Sequence, residues 1–196
     1  YPFRFSRFKA AFEQNLKDRK LRILFAEGFI LMGCLVTVFN YISYHLLEAP
    51  FQLSQSWIGL ISIAYLAGIY SSSKAAQWSF KYGRAKVLPL MLLMMIAGLL
   101  ITLIPALWAI LLGLIIFAFA FFAAHSTASS WVSVQAIQYR AVAASLYLFC
   151  YYIGSSLLGS SGGLIWENFG WVGINLSVVL VLAVGLFLTF YLHDTK

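Results

Sequence analysis

Six apolar runs leave this chain one class of fold. They cover residues 23–47, 58–80, 87–104, 107–127, 141–165 and 171–192. Each approaches or exceeds the roughly 18–20 residues with which a helix crosses the hydrocarbon core of a bilayer. A water-soluble core could not hide so much apolar surface: 62% of residues are apolar, 10% are charged and the mean hydropathy is +0.89. The expected fold is an all-α integral membrane bundle of six transmembrane helices. The connections are short, and Pro50 and Pro105 stand where helices must stop.

The cations support the same count. Arg4, Arg7, Lys9, Lys17, Arg19, Lys20 and Arg22 precede the first run. Lys74, Lys81, Arg84 and Lys86 lie at or near the second connection, Arg140 in the fourth, and Lys196 at the end. Six crossings place all 13 Lys and Arg on one side, whereas five or seven would scatter them. By the positive-inside rule both termini are expected in the cytoplasm. The net charge of +7 then reflects orientation and contact with anionic lipid, with no nucleic-acid partner. The expected organisation is a basic amphipathic linker over 1–22, a six-span bundle over 23–192 and a cytoplasmic tail over 193–196. In the linker Phe5, Phe8, Phe12 and Leu16 fall on roughly one helical face, which suits a helix lying in the membrane interface. The chain opens on Tyr1, on this basic segment and not on a signal sequence, so a piece of a longer protein is expected.

Polar residues inside the runs are the candidate site. Gly33, Thr37, Asn40, Tyr41 and Tyr44 make one helical stripe. Such a stripe faces either a substrate path or neighbouring helices. Glu27 is the single acid inside a run, about one turn from the cytoplasmic side. It can relay protons, bind a cation, or pair with a base such as Arg22 or Arg140. Lys74 sits near a cytoplasmic end and is expected to snorkel; His125 is expected to be a satisfied interfacial histidine. Two small-residue stripes, Gly68–Ser72–Ala76 and Ser155–Gly159–Gly163, allow close helix approach, as static packing or as a sliding contact.

Catalytic and metal chemistry find little footing. Cys34 and Cys150 lie within apolar runs and read as reduced core residues. No metal-ligand spacing, P-loop or cofactor motif is present. The stretch "GSSG", residues 159–162, resembles the serine motif of rhomboid-type intramembrane proteases. Ser161 falls near the outer face, however, and the one later histidine, His193, falls at the cytoplasmic end roughly 30 Å away at 1.5 Å per residue. His45 is on the outer side but has no orienting partner in sequence. No enzyme is expected.

The stretch "SFKYGRAKVLP", residues 79–89, carries a resemblance. It is similar to the cytoplasmic motif G-x-L-a-D-[RK]-x-G-[RK]-[RK] of the major facilitator superfamily. Lys81, Gly83 and Arg84 match it. Ala76 replaces the first glycine, Phe80 the aspartate and Ala85 the last cation, with Lys86 supplying a displaced one. Residues 140–171 resemble the eleventh span of efflux members of that superfamily, with a leading arginine, small residues and a Gly-Trp turn. The resemblance implies the C-terminal half of a twelve-helix transporter of the bacterial inner membrane. Its implied partners are the bilayer, an N-terminal six-helix half, a small-molecule substrate such as a sugar or drug, and a proton. Spans one and four would line the cavity, two and five would meet the other half, and three and six would be peripheral. Phe80 in place of the acid weighs against charge relay at this motif. Against this reading stands a six-span scaffold or assembly protein that transports nothing.

Overall fold

The computed structural model describes residues 5–192, with the side chains of residues 5–8 and of residue 60 outside the description. Phe5 and Phe8 of the expected linker face, and the expected tail with His193 and Lys196, therefore lie outside what is described. Among the described residues all regular structure is helical. The helices are α1 (Phe5–Lys17), α2 (Arg19–Leu47), α3 (Gln55–Leu60), α4 (Tyr65–Tyr82), α5 (Arg84–Ile101), α6 (Leu107–Gln135) and α7 (Arg140–Thr189). A 3-10 turn at Ile61–Ala64 joins α3 to α4, and another at Phe190–Leu192 follows α7.

Helix α2 begins before the first apolar run, and the reason is local. The Asp18 carboxylate accepts from the backbone N–H groups of Lys20 and Leu21 at 2.8 and 3.1 Å, which caps the helix. Its other oxygen accepts from Gln135 Nε2 at 2.9 Å and so ties this end to the end of α6. One turn earlier, α1 lays Ala11 and Asn15 on the bundle and turns Phe12 and Leu16 outward.

α7 is two helices in one run. Gly170 sits at φ 56°, ψ −149°, a conformation that excludes a side chain, and breaks the helix into arms over 140–169 and 171–189. Tyr147 of the first arm lies against Gly28, and Gly185 of the second against Glu27. A straight helix would hold residues 147 and 185 roughly 57 Å apart at 1.5 Å per residue. The arms are therefore folded back with α2 between them. The first runs parallel to α2, from Tyr147 at Gly28 to Trp166 at Tyr41 and Tyr44. The second runs antiparallel, from Trp171 at His45 to Gly185 at Glu27.

The remaining helices form a second seam. α5 and α6 cross so tightly that a Cβ on Gly98 would lie 2.7 Å from the Gly113 carbonyl oxygen. α4 runs beside α6, with Gly68 under the Phe122 ring and Ser79 beside Thr127. Gly83, at φ 86°, makes the reversal between α4 and α5.

Among the described residues four helical stretches are long and apolar enough to cross a membrane: α2, α5, α6 and the run from Arg140 to Leu192. The six expected runs map onto α2, α3 with α4, α5, α6 and the two arms of α7. Two differences separate four from six. The arms are continuous through Gly170, and α4 carries Ser71, Ser72, Ser73, Lys74, Gln77 and Lys81, which dilute its apolar residues.

Candidate functional site

The polar stripe of α2 divides into two parts with different surroundings. Gly33 and Thr37 are buried against the first arm of α7, and Thr37 Oγ1 donates to the Gly33 carbonyl at 2.8 Å. This part is packing. Asn40 and Tyr44 are exposed, and with Tyr41, Ser43, Leu47 and Gln55 they line a cavity of about 360 Å³. Tyr41 OH donates to the Gly159 carbonyl at 3.0 Å, which fixes its ring. Trp166, absent from the expected set, completes an aromatic triangle with centroids 6.2 Å from Tyr41 and 6.0 Å from Tyr44. It lies 122 positions after Tyr44 in the chain, so no local spacing could have pointed to it.

Glu27 is completely buried, and neither carboxylate oxygen has a hydrogen-bond partner. Among the described residues it makes no ion pair with Arg22 or Arg140, the expected partners. The Arg19 guanidinium, one turn before Arg22, instead stacks 4.7 Å over the Tyr191 ring. The carboxyl occupies space left by Gly185, where a Cβ would lie 3.1 Å from Glu27 Oε2.

Nearby, His125 Nδ1 and Tyr147 OH are 3.0 Å apart, and the His125 ring also stacks on Phe121 and lies tilted against Tyr151. This matches the expectation of a satisfied histidine, although its partner comes from α7. Lys74 Nζ donates to Gln77 Oε1 at 3.4 Å on the exposed side of α4.

The two small-residue stripes are only partly buried within this domain. On α4 the buried positions are Gly68, Ser71, Ala75 and Ser79, while Ala76 is exposed and Ser72 half-buried. Steps of four residues turn about 40° per step around a helix of 3.6 residues per turn, so Gly68–Ser72–Ala76 walks off the face. The observed steps of three and four stay on it. Ser71 Oγ is satisfied by the Phe119 carbonyl at 2.7 Å. On the first arm the buried glycines are Gly154, Gly159 and Gly162, while Ser155 and Gly163 are half-buried. A Cβ at Gly154 would run into the Phe29 backbone, so this is where α2 and the first arm touch most closely.

At the reversal between α4 and α5, Lys81, Gly83 and Lys86 are exposed and Arg84 is half-buried. Lys81 Nζ lies 5.1 Å over the Tyr82 ring. Phe80 is 95% exposed, so the residue in the motif's acid position touches almost nothing in this chain. The protease arrangement is not assembled around the described histidines. Ser161 Oγ donates to the Leu158 carbonyl, and His45 is stacked on Trp171 at 5.5 Å.

Known proteins place this geometry. No family model matches the chain. It is 47% identical over 182 residues to the inner membrane transport protein YnfM of Escherichia coli, covering 93% of this chain and 44% of that protein. It is 44% identical over 178 residues to an uncharacterized MFS-type transporter, YybF, of Bacillus subtilis, covering 91% and 44%. An uncharacterized transporter of Buchnera aphidicola (subsp. Schizaphis graminum) is 47% identical over 185 residues, covering 94% and 45%. The chain belongs to the major facilitator superfamily. It spans about half the length of the curated relatives it matches, so it is a half-length major facilitator domain, multi-pass and set in a lipid bilayer.

Proposed function

We propose that this domain is the C-terminal half of a secondary active transporter of the bacterial inner membrane. It crosses the membrane six times with both termini in the cytoplasm. It works with an N-terminal six-helix half by alternating access around a midplane site, exporting a small organic solute such as a sugar or drug in exchange for protons.

One observation carries this reading. The outer half of the α2 stripe, Asn40, Tyr41 and Tyr44, lines a cavity whose wall comes from α2 and Gln55, and Tyr44 is 54% exposed. Polar groups at membrane depth need protein or water around them, so a wall of this kind calls for an opposite wall. The half-length match to transporters supports a second half as its source. The exposed faces of α4 and of the first arm, with Ser73, Ala76, Ser156 and Ser160, suit contact with that half. Phe12 and Leu16 on the outer side of α1 suit a linker helix seated in the cytoplasmic interface. Lys81, Arg84 and Lys86 act as a topological anchor, and the Gly83 reversal suits contact between halves.

The test is flux from vesicles loaded with a radiolabelled sugar or a fluorescent aromatic drug. The full-length transporter should move one such solute in a pH-dependent way. Vesicles holding this domain alone should match empty vesicles, and movement above that rate would overturn the reading.

A further inference from the structure

An ionised carboxylate without a partner cannot be kept in a dry helix contact, because the cost of removing its water is many kcal/mol and nothing here offsets it. Glu27 is in that position. It is wholly buried, both oxygens are unpartnered, and Oε2 lies in the space left open by Gly185. The groups that could share its charge are few. On its own helix Cys34 is near enough to interact with it, and on the first arm Tyr147 is. The second arm, residues 171–189, contains no titratable residue. On α6 His125 faces the Tyr147 hydroxyl. None of these supplies a positive charge against the carboxyl.

A small cavity lies further along the same contact. Of about 90 Å³, between α2 and the two arms, it is lined by Cys34, Thr37, Ser161 and Ser177, two turns of α2 beyond Glu27. At about 30 Å³ per molecule it has room for a few waters, with hydroxyls to hold them.

We propose that Glu27 is the proton-binding site of this half. It holds a proton while α2 is packed between the arms of α7. When that packing opens, water enters the contact, the O–H bond breaks, the proton passes to a water oxygen, and the carboxylate left behind is hydrated. The closed packing is then favoured at low pH and lost as pH rises, since only the opened state tolerates the charge. The role in transport rests on the reading above, while the site does not.

Two measurements on the full-length transporter test it, and neither needs a substrate. Infrared spectra at neutral pH should show the C=O stretch of a protonated carboxylic acid that disappears in Glu27→Gln and shifts in Glu27→Asp. Labelling of Cys34 by a small maleimide, read on its peptide by mass spectrometry, should rise more steeply with pH in wild type than in Glu27→Gln. Opening linked to one proton gives an excess of up to about tenfold per pH unit, and the comparison at equal pH is conservative, because a charged Glu27 would itself disfavour the nearby thiolate. A carboxyl band unaffected by either substitution, or identical Cys34 profiles, would overturn the site. Absence of solute flux with both signatures intact would fault the transport reading alone. Should Glu27→Gln not fold, the wild-type band and its shift in Glu27→Asp still decide.

Discussion

The seam between α5 and α6 and the seam between α2 and α7 are built from different materials. The first is apolar through most of its length, with Leu88, Leu92, Met95, Leu99, Ile110, Leu114 and Phe117 all buried. Its closest point is backbone on backbone at Gly98 and Gly113. The second also has a point of backbone contact, Gly154 on Phe29, but around it lie a carboxyl, hydroxyls, stacked rings and two cavities. Close-packed aliphatic surfaces fit in one arrangement, because any slide opens voids. Polar and aromatic surfaces with water nearby can exchange partners at lower cost. The comparison assigns rigidity to α5 with α6, and rearrangement to α2 with α7.

Substitutions can break this contrast. The largest effect is expected at Gly113→Val, because its new side chain meets Thr102 and the Gly98 carbonyl with no room to move. A loss of about 3 kcal/mol or more, at the upper end for overpacked sites, should appear in unfolding by denaturing detergent. Next is Asn175→Ala. Thr102 Oγ1 donates to Asn175 Oδ1 at 3.4 Å, and Trp171 Nε1 donates to the Thr102 carbonyl at 3.3 Å, which together tie the end of α5 to the start of the second arm. Removing the amide should cost about 1–3 kcal/mol in the same assay. The smallest effect is expected at Tyr41→Phe, which loses one partly exposed hydrogen bond to Gly159, about 0.5–1.5 kcal/mol. If Tyr41→Phe proves as damaging as Gly113→Val, the assignment of rigid and mobile seams fails.

The sequence made parts of this architecture legible and hid others, for physical reasons. Run length and hydropathy reveal helices because the bilayer demands a minimum apolar length, and Gly83 and Gly170 mark reversals because few residues accept their backbone angles. Which small residues are buried within the domain was hidden, because several alignments of glycines and serines around one helix look alike until the neighbour is in place. Trp166 and Asn175 were hidden because their partners are distant in sequence. Glu27 looked ready to pair, with arginines near at hand. What decides otherwise is Gly185, 158 positions away, which makes room for the carboxyl and brings no charge.

Gly170 turns α7 into a pair of tweezers closed on α2. The hinge is at one end, and the tips lie at the other, on either side of Gly28 and Glu27. Gly185 lies roughly 22 Å along the second arm from that hinge, at 1.5 Å per residue. Over such a lever a bend of about 5° moves the tip by about 2 Å, close to the difference between a dry contact and one that admits a water molecule. A single residue without a side chain can thereby set the gap around an acid four turns away.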